Sequence, residues 1–388
     1  MAESFPKNPY IHFMIAGILK EPQGENRVSF LPDQAAVLQQ KNIEVWVEDG
    51  AGINAFADNE AYTFKNVRVV SRKELLLQAD IILSIHNLSP EEIAGLKNEV
   101  LMVGVYQPLY NTALMKNYAA AITTLCSIDM LPRTTRAQSM DVLSSQANIA
   151  GYKAVLTAAN IYGRYFPMFM TAAGSIAPAK VLILGAGVAG LQAVATARRL
   201  GAVVDVFDTR PAVREEVMSL GAKFIEVAGA ADASAAGGYA VDQTEEYKQK
   251  QQLKIAESVA KADIVITTAQ IPGKRAPILI TEEMLKTMRN GSVIVDIAAV
   301  TGGNTPFTKN NETVKYNGVT IIGDSNLPST MPFDASKLYG KNVMNFLLLL
   351  LDKDGNIQLN FEDELVKGAC ITHRGDVVNE RIKALISS

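Results

Sequence analysis

Three glycines, Gly185, Gly187 and Gly190, stand in the spacing G-x-G-x-x-G within Lys180-Val-Leu-Ile-Leu-Gly-Ala-Gly-Val-Ala-Gly-Leu. The apolar run before them reads as a buried strand and the Ala- and Val-rich stretch after them as a helix. In such a turn the first glycine permits the tight bend. The second lets a pyrophosphate approach the backbone, and the third lets the helix pack on the strand. The N–H groups around Ala186 and Val188 open the helix, where unpaired donors and the helix dipole attract phosphate. A second apolar run, 203–208, ends in Asp208, the acid expected about 20 residues beyond the turn of a dinucleotide site. A carboxylate there accepts the ribose hydroxyls of NAD(H) and repels the 2′-phosphate of NADP(H). Asp205 is the competing acid, but it lies mid-strand. Thr209 and Arg210 follow Asp208, and Arg210 pulls the other way, because a guanidinium can support a 2′-phosphate.

A second candidate lies further on. The stretch from Ala228 to Lys248 is rich in Ala, Gly and Ser and carries Gly237-Gly238-Tyr239. Connections in such units run about 2–6 residues, so this one reads as a lid, with Gly238 as its pivot and Tyr239 able to cover a bound nucleotide. A tolerated insertion is the alternative.

These residues need a frame. Short β-rich runs alternate with helical patterns along most of the chain, which predicts an α/β fold: two Rossmann-like domains, each a mostly parallel sheet with helices on both faces, and a cleft between them. Strands are expected at 11–15, 43–47, 80–85, 101–105 and 121–124 in the first domain. In the second they are expected at 181–185, 203–208, 223–227, 263–267, 292–297 and 320–323. Helices are expected at 32–40 and 90–96, then at 189–200, 211–220, 251–260 and 282–288. The helical pattern from Arg136 to Phe166 is too long for one ordinary helix and predicts a break near Gly151 or Gly163 where the chain passes between domains. A further helix at 336–350 returns the chain, so the first domain is expected to comprise 1–143 plus 327–388 and the second 144–326.

Bulk properties exclude several classes. The 388 residues allow two domains at roughly 100–200 residues each. A formal charge of −3 gives no basic footprint for nucleic acid. The apolar run Phe346–Leu351 stops at Asp352, far short of the ~20 residues of a membrane span, and reads as a core helix end. Cys126 and Cys370 form no CxxC pair, which favours a reducing compartment and predicts two buried small hydrophobes. No metal-ligand cluster is expected.

The segment Leu131–Tyr152, with Arg133, Gln138, Asp141 and Ser144, resembles the NAD(H)-binding component of proton-translocating nicotinamide nucleotide transhydrogenase. So do Thr171-Ala-Ala-Gly174, Thr267-Thr-Ala-Gln-Ile-Pro-Gly-Lys274 and Ala298–Asn304. The resemblance covers essentially the whole chain. Alanine dehydrogenases share the fold, and Lys20–Val28 also resembles them. The transhydrogenase resemblance implies that Arg133, Gln138, Asp141 and Ser144 sit at the nicotinamide end of the nucleotide. Gln138 would bridge toward NADP(H) on a partner subunit. It further implies Asp208 as the ribose acid, Tyr239 on the mobile loop, and nucleotide contacts at Gln251, Ala269 and Gln270. A homodimer, membrane-spanning partner subunits and a place on the cytoplasmic side of the inner membrane are implied with it. An ordinary ion pair is the alternative reading of Arg133 and Asp141.

The two enzymes make different demands. Alanine dehydrogenase moves a proton as well as a hydride and needs a general acid/base; its family uses a lysine and a histidine in the first domain. Here Ser84 stands where the lysine would be, and Val103-Gly-Val-Tyr106-Gln-Pro offers no histidine. Some transhydrogenases carry that lysine, so its absence argues chiefly against the dehydrogenase. Arg27 and His86 are left as residues without an assigned role. Hydride transfer between two nicotinamides releases no proton, so it needs orientation and not a base. An NAD(H) sensor built on the same fold is the non-enzymatic alternative; retention of Gln138 and Asp141 argues against it.

Overall fold

The computed structural model describes residues 14–227, 229 and 244–387. Seventeen strands follow in chain order among the described residues. The first six are β1 (Ile15–Ile18), β2 (Glu44–Glu48), β3 (Arg68–Val70), β4 (Ile81–Leu83), β5 (Leu101–Gly104) and β6 (Thr124–Ser127). A hairpin, β7 (Phe169–Thr171) and β8 (Gly174–Ile176), precedes β9 (Lys180–Leu184), β10 (Val203–Phe207) and β11 (Lys223–Phe224). Next come β12 (Ile264–Thr267), β13 (Val293–Asp296), β14 (Thr313–Tyr316) and β15 (Val319–Ile322). The chain ends with β16 (Cys370–His373) and β17 (Asp376–Val377).

The chain divides into two units, Met1–Leu143 with Pro332–Ser388, and Ser144–Met331. The first holds an eight-stranded sheet in the order β17-β16-β6-β5-β4-β1-β2-β3. It is parallel from β6 to β3, while β16 runs antiparallel to both β6 and β17. The second holds seven strands in the order β11-β10-β9-β12-β13-β15-β14, parallel except for the β14 edge.

Both sheets are covered on both faces. Successive strand side chains point to opposite faces. Accordingly Val181 and Ile183 join one apolar layer, with Ala154, Ala193 and Val217 from the helices, while Leu182 and Leu184 join another, with Ile255, Val259 and Leu285. In the first unit Ile81 and Leu83 pack with Val343, Phe346 and Leu347, and Ile82 packs with Leu75, Met115 and Tyr118. This double coverage explains why the strands read as continuous apolar runs. The run Phe346–Leu351 falls at the end of the helix Pro332–Leu349, as expected of a core helix.

Three expectations need correction. The first strand is Ile15–Ile18, because it is these residues that pair with both β2 and β4; the earlier part of the expected strand, 11–13, lies outside the described residues. The strand expected at 121–124 is Thr124–Ser127, because Ala121 caps the preceding helix and Ile122 takes a positive φ of 56° in the turn after it. The long helical pattern breaks at neither glycine. A 3-10 helix, Thr135–Met140, stops at Asp141, and a continuous α-helix, Val142–Ile161, passes through Gly151. Gly151 is there for close packing: a Cβ on it would stand 2.0 Å from the carbonyl oxygen of Ala189.

Candidate functional site

In the second unit the sheet reverses its winding between β9 and β12. From β9 the chain goes outward to β10 and β11, then crosses back to β12 on the other side. Ligands of open α/β sheets bind at the carboxyl ends of the strands beside such a switch point.

The turn after β9 has the required form. Gly185 has φ of 105°, and a Cβ on it would meet Thr268 Oγ1 at 2.3 Å. A Cβ on Gly190 would stand 1.9 Å from the Gly185 oxygen, so the helix Val188–Arg199 can rest on the turn only with glycine there. Gly187 is the N-cap residue and offers no side-chain cap to the first N–H groups. Nothing lies within 4 Å of where its Cβ would be. Open space beside uncapped helix donors fits a pyrophosphate.

Asp208, just beyond β10, is 8% exposed. Its Oδ2 accepts the Ala186 N–H at 2.7 Å, which ties the acid to the glycine turn. Its Oδ1 accepts the Arg210 N–H at 2.8 Å. The Arg210 guanidinium closes on the same carboxylate, Nε to Oδ1 at 2.9 Å and Nη2 to Oδ2 at 2.8 Å. Arg210 is therefore engaged by the acid whose selectivity it was expected to oppose. Thr209 lies half-buried between them.

On the other side of the switch point, Thr268, Ala269 and Gln270 follow β12. The Thr268 hydroxyl donates to the carbonyls of Leu184 and Gly185 at 3.3 and 3.2 Å. Gln270 is exposed and its amide donates to the Ile297 oxygen at 3.1 Å. The structure thus brings Gly185, Ala186, Gly187, Val188, Gly190, Asp208, Arg210, Ala269 and Gln270 to one end of one sheet. Gln251 is half-buried on the helix Glu245–Val259, and Ser144 sits in the first turn of Val142–Ile161. Gly238 and Tyr239 lie outside the described residues.

In the first unit Arg133, Gln138 and Asp141 lie on one loop around the 3-10 helix Thr135–Met140, with Arg133 and Gln138 exposed. The loop is held from behind. Asn342 and Asn345, on the helix Pro332–Leu349, both donate to the Ser139 oxygen at 2.9 Å. Arg136 pairs with Asp363 at 2.6 Å, and Ala137 is buried. Sequence reasoning missed these anchors. Two asparagines three apart in an otherwise apolar helix were the available signal.

Also in the first unit, Arg27 forms a two-point pair with Glu25, Nε to Oε1 at 2.8 Å and Nη2 to Oε2 at 2.6 Å. His86 Nε2 meets the same carboxylate at 2.9 Å. Burial alone would raise the Glu25 carboxyl, but the bonds from Arg27 and His86 outweigh it and hold it well below the usual range. Glu21 accepts the N–H groups of Ile85 and His86 at 2.6 and 3.0 Å, and burial pushes it up to about 7. Ser84 is buried, its hydroxyl 3.0 Å from the hydroxyl of Tyr106. Arg27 and His86 are thus turned toward a glutamate, which leaves a poor anchor for a carboxylate substrate.

Among the described residues no cluster of His, Cys, Asp or Glu could hold a metal ion, and no helix is long and apolar enough to cross a membrane. Cys126 and Cys370 are free, fully buried and register partners in β6 and β16.

Known proteins share this geometry. The family described as alanine dehydrogenase/PNT, N-terminal domain, matches residues 17–150, and alanine dehydrogenase/PNT, C-terminal domain, matches residues 154–380. A Rhodospirillum rubrum chain, the first of its NAD(P) transhydrogenase subunit alpha, is 43% identical over 365 residues, 92% of this chain and 95% of that one. The crystal structure of transhydrogenase from Sinorhizobium meliloti superposes with a TM-score of 0.86 at 43% identity, covering 94% of this chain and 100% of that one. Alanine dehydrogenase of Staphylococcus saprophyticus is far less similar, 28% identical over 333 residues, 82% of each chain. Both halves are matched in order along nearly the whole length, and the chain belongs to the alanine dehydrogenase/PNT family, nearer to its transhydrogenase alpha subunits than to its alanine dehydrogenases.

Proposed function

We propose that this chain is the NAD(H)-binding component of a proton-translocating transhydrogenase, passing hydride between NADH and NADP⁺ held by a partner subunit. The observation that carries the reading is the glycine turn tied to Asp208 through the Ala186 N–H, in a chain 43% identical to a transhydrogenase alpha subunit over 95% of that subunit's length.

The residues divide the work. The turn residues Gly185–Gly190 receive the pyrophosphate, and Asp208 takes the adenosine ribose hydroxyls. Ala269 and Gln270 border the nicotinamide half, with Gln251 and Ser144 as further contacts and Gly238 and Tyr239 as the covering loop. Arg133, Gln138 and Asp141 orient the ring against the second nucleotide. Transfer of a hydride between two nicotinamides frees no proton, so positioning is the whole demand on this chain. The closed Glu25–Arg27 pair and the buried Ser84 support this reading over an amino-acid dehydrogenase, which needs an anchor and a base.

The partners follow from the same reading: an NADP(H)-binding subunit and membrane-spanning subunits, with this chain peripheral on the cytoplasmic face of the inner membrane. A second copy of this chain is the partner for the β7–β8 hairpin, where Met168, Phe169 and Met170 are 65%, 43% and 71% exposed. Contiguous exposed apolar side chains mark association surfaces.

The test is to mix the purified chain with the NADP-binding component and follow hydride transfer to an NADP⁺ analogue. Transfer that requires both proteins is expected. No transfer, together with alanine-dependent NADH formation by this chain alone, would replace the reading with alanine dehydrogenase.

A further inference from the structure

Asn304 is fully buried, and its side-chain amide is bonded to main chain at every hydrogen it has. Its Oδ1 accepts the Ala269 N–H at 3.1 Å, and its Nδ2 donates to the oxygens of Ala269 and Pro277 at 2.9 and 2.8 Å. It therefore grips both polar groups of residue 269, as a neighbouring strand would, at the point where β12 has ended and no strand is present to do so.

Asn304 is itself fixed. Its own N–H donates to Asp296 Oδ2 at 2.6 Å, and the Thr308 hydroxyl donates to that oxygen at 2.6 Å. Asp296 Oδ1 accepts the Ala298 N–H at 3.0 Å, and Asp296 is fully buried at the end of β13. The peptide that Asn304 grips adjoins Thr268, whose hydroxyl reaches the Gly185 oxygen. A continuous set of bonds thus runs from the end of β13, through Asn304, to the loop after β12 and on to the glycine turn.

The sheet order gives this clamp a direction. Asp208 follows β10 on one side of β9, and Ala269 follows β12 on the other. A dinucleotide laid across the switch point puts its adenosine half toward Asp208, so the loop after β12 meets the nicotinamide half.

We propose that Asn304 is a positioning residue that sets the loop 268–270 against the nicotinamide half of the dinucleotide and leaves the adenosine half to the glycine turn and Asp208. The inference rests on the nucleotide-binding reading above. Only an amide has a donor face and an acceptor face in this shape. Aspartate keeps the outline, but it loses both donors and sets a negative charge against two carbonyl oxygens.

The experiment measures binding of NADH and of 5′-AMP to the full chain and to Asn304→Asp, with hydrogen exchange at the Ala269 N–H. NADH binding is expected to weaken at least tenfold in the variant, 5′-AMP binding to stay within twofold, and Ala269 exchange to quicken. Should Asn304→Asp not fold, Asn304→Ala carries the same test, because the vacated space admits a water to the stranded peptide groups. Equal losses for both ligands would overturn the proposal, leaving Asn304 a general support of the unit. An unchanged NADH affinity would overturn it as well. A wild-type chain that binds neither ligand removes the nucleotide reading itself, and that result is seen before any variant is made.

Discussion

Arg210 and Asp208, two positions apart at the end of β10, share two side-chain hydrogen bonds of 2.9 and 2.8 Å. The pair makes the acid the holder of the arginine. Asp208→Ala removes the charge that repels a 2′-phosphate and releases the guanidinium toward it. Hydrogen bonds to charged groups contribute about 1.5–3 kcal/mol, and about 1.4 kcal/mol is tenfold in affinity. The ratio of NADH to NADPH affinity should fall about 100-fold in Asp208→Ala. The double variant Asp208→Ala/Arg210→Ala should lose the gain for NADPH. Fluorescence titration with each reduced nucleotide checks both. NADPH bound no better by Asp208→Ala than by the wild-type chain would dissolve the argument.

The loop bearing Gln138 hangs on one carbonyl. Asn342 and Asn345 both donate to the Ser139 oxygen, so either alone keeps it partly satisfied. The double variant Asn342→Ala/Asn345→Ala is expected to slow hydride transfer about tenfold, the cost of roughly 1.4 kcal/mol of lost positioning. NADH affinity should change less than the rate. Single-turnover transfer beside equilibrium binding separates the two, and equal losses in both would count against a positioning role.

Glu21 gives stability a pH dependence of unusual sign. Burial lifts its carboxyl from 4.5 to about 7, so between those values the folded chain holds a proton that the unfolded chain has released. Stability from this group is fully present below about 4.5 and is lost as pH rises through 7. The loss amounts to about 3 kcal/mol at most. Glu21→Gln cannot titrate. Its melting temperature relative to wild type should therefore climb between about pH 5 and pH 8. A difference that stays flat over that range would show that Glu21 is not protonated in the folded chain.

Alanine in place of a helical glycine normally stabilises by about 0.5–1 kcal/mol. Gly151→Ala should do the opposite, because its Cβ would lie 2.0 Å from a backbone oxygen at Ala189. Backbone cannot swing aside as a side chain can, and a loss of about 2 kcal/mol or more is expected. Urea denaturation reads this as a lowered midpoint. A raised midpoint would mean that the helices separate freely there.

The sequence made the second unit's sheet legible because each strand is a continuous apolar run between turn residues, as double-sided burial demands. The glycine turn and Asp208 were legible for the same reason: steric limits at Gly185 and Gly190 leave no choice of residue. Boundaries slipped where local signals were equivocal. Ala121-Ile122 is apolar enough to begin a strand, yet Ile122 bends through a positive φ and the strand starts after it. Antiparallel β14 and β16 escaped notice, since Thr313–Tyr316 and Cys370–His373 are short and mixed in polarity. The supports Asn304, Asn342 and Asn345 act through main-chain atoms far away in sequence, and no local pattern announces such a partner. The pairing of Arg210 with Asp208 is a matter of rotamer and was open to either reading.

The meeting of β16 with β6 has a consequence for how the chain comes into being. Register joins Cys370 to Cys126, so the sheet of the first unit is finished by residues synthesised after the entire second unit. Until they emerge, β6 is an open edge of backbone donors and acceptors, the kind of edge that recruits stray strands. The nucleotide-binding unit can complete itself on the ribosome, while the first unit must wait. The hazard for a nascent chain, and for one truncated near its end, is thus intermolecular pairing at β6 and not loss of the glycine turn.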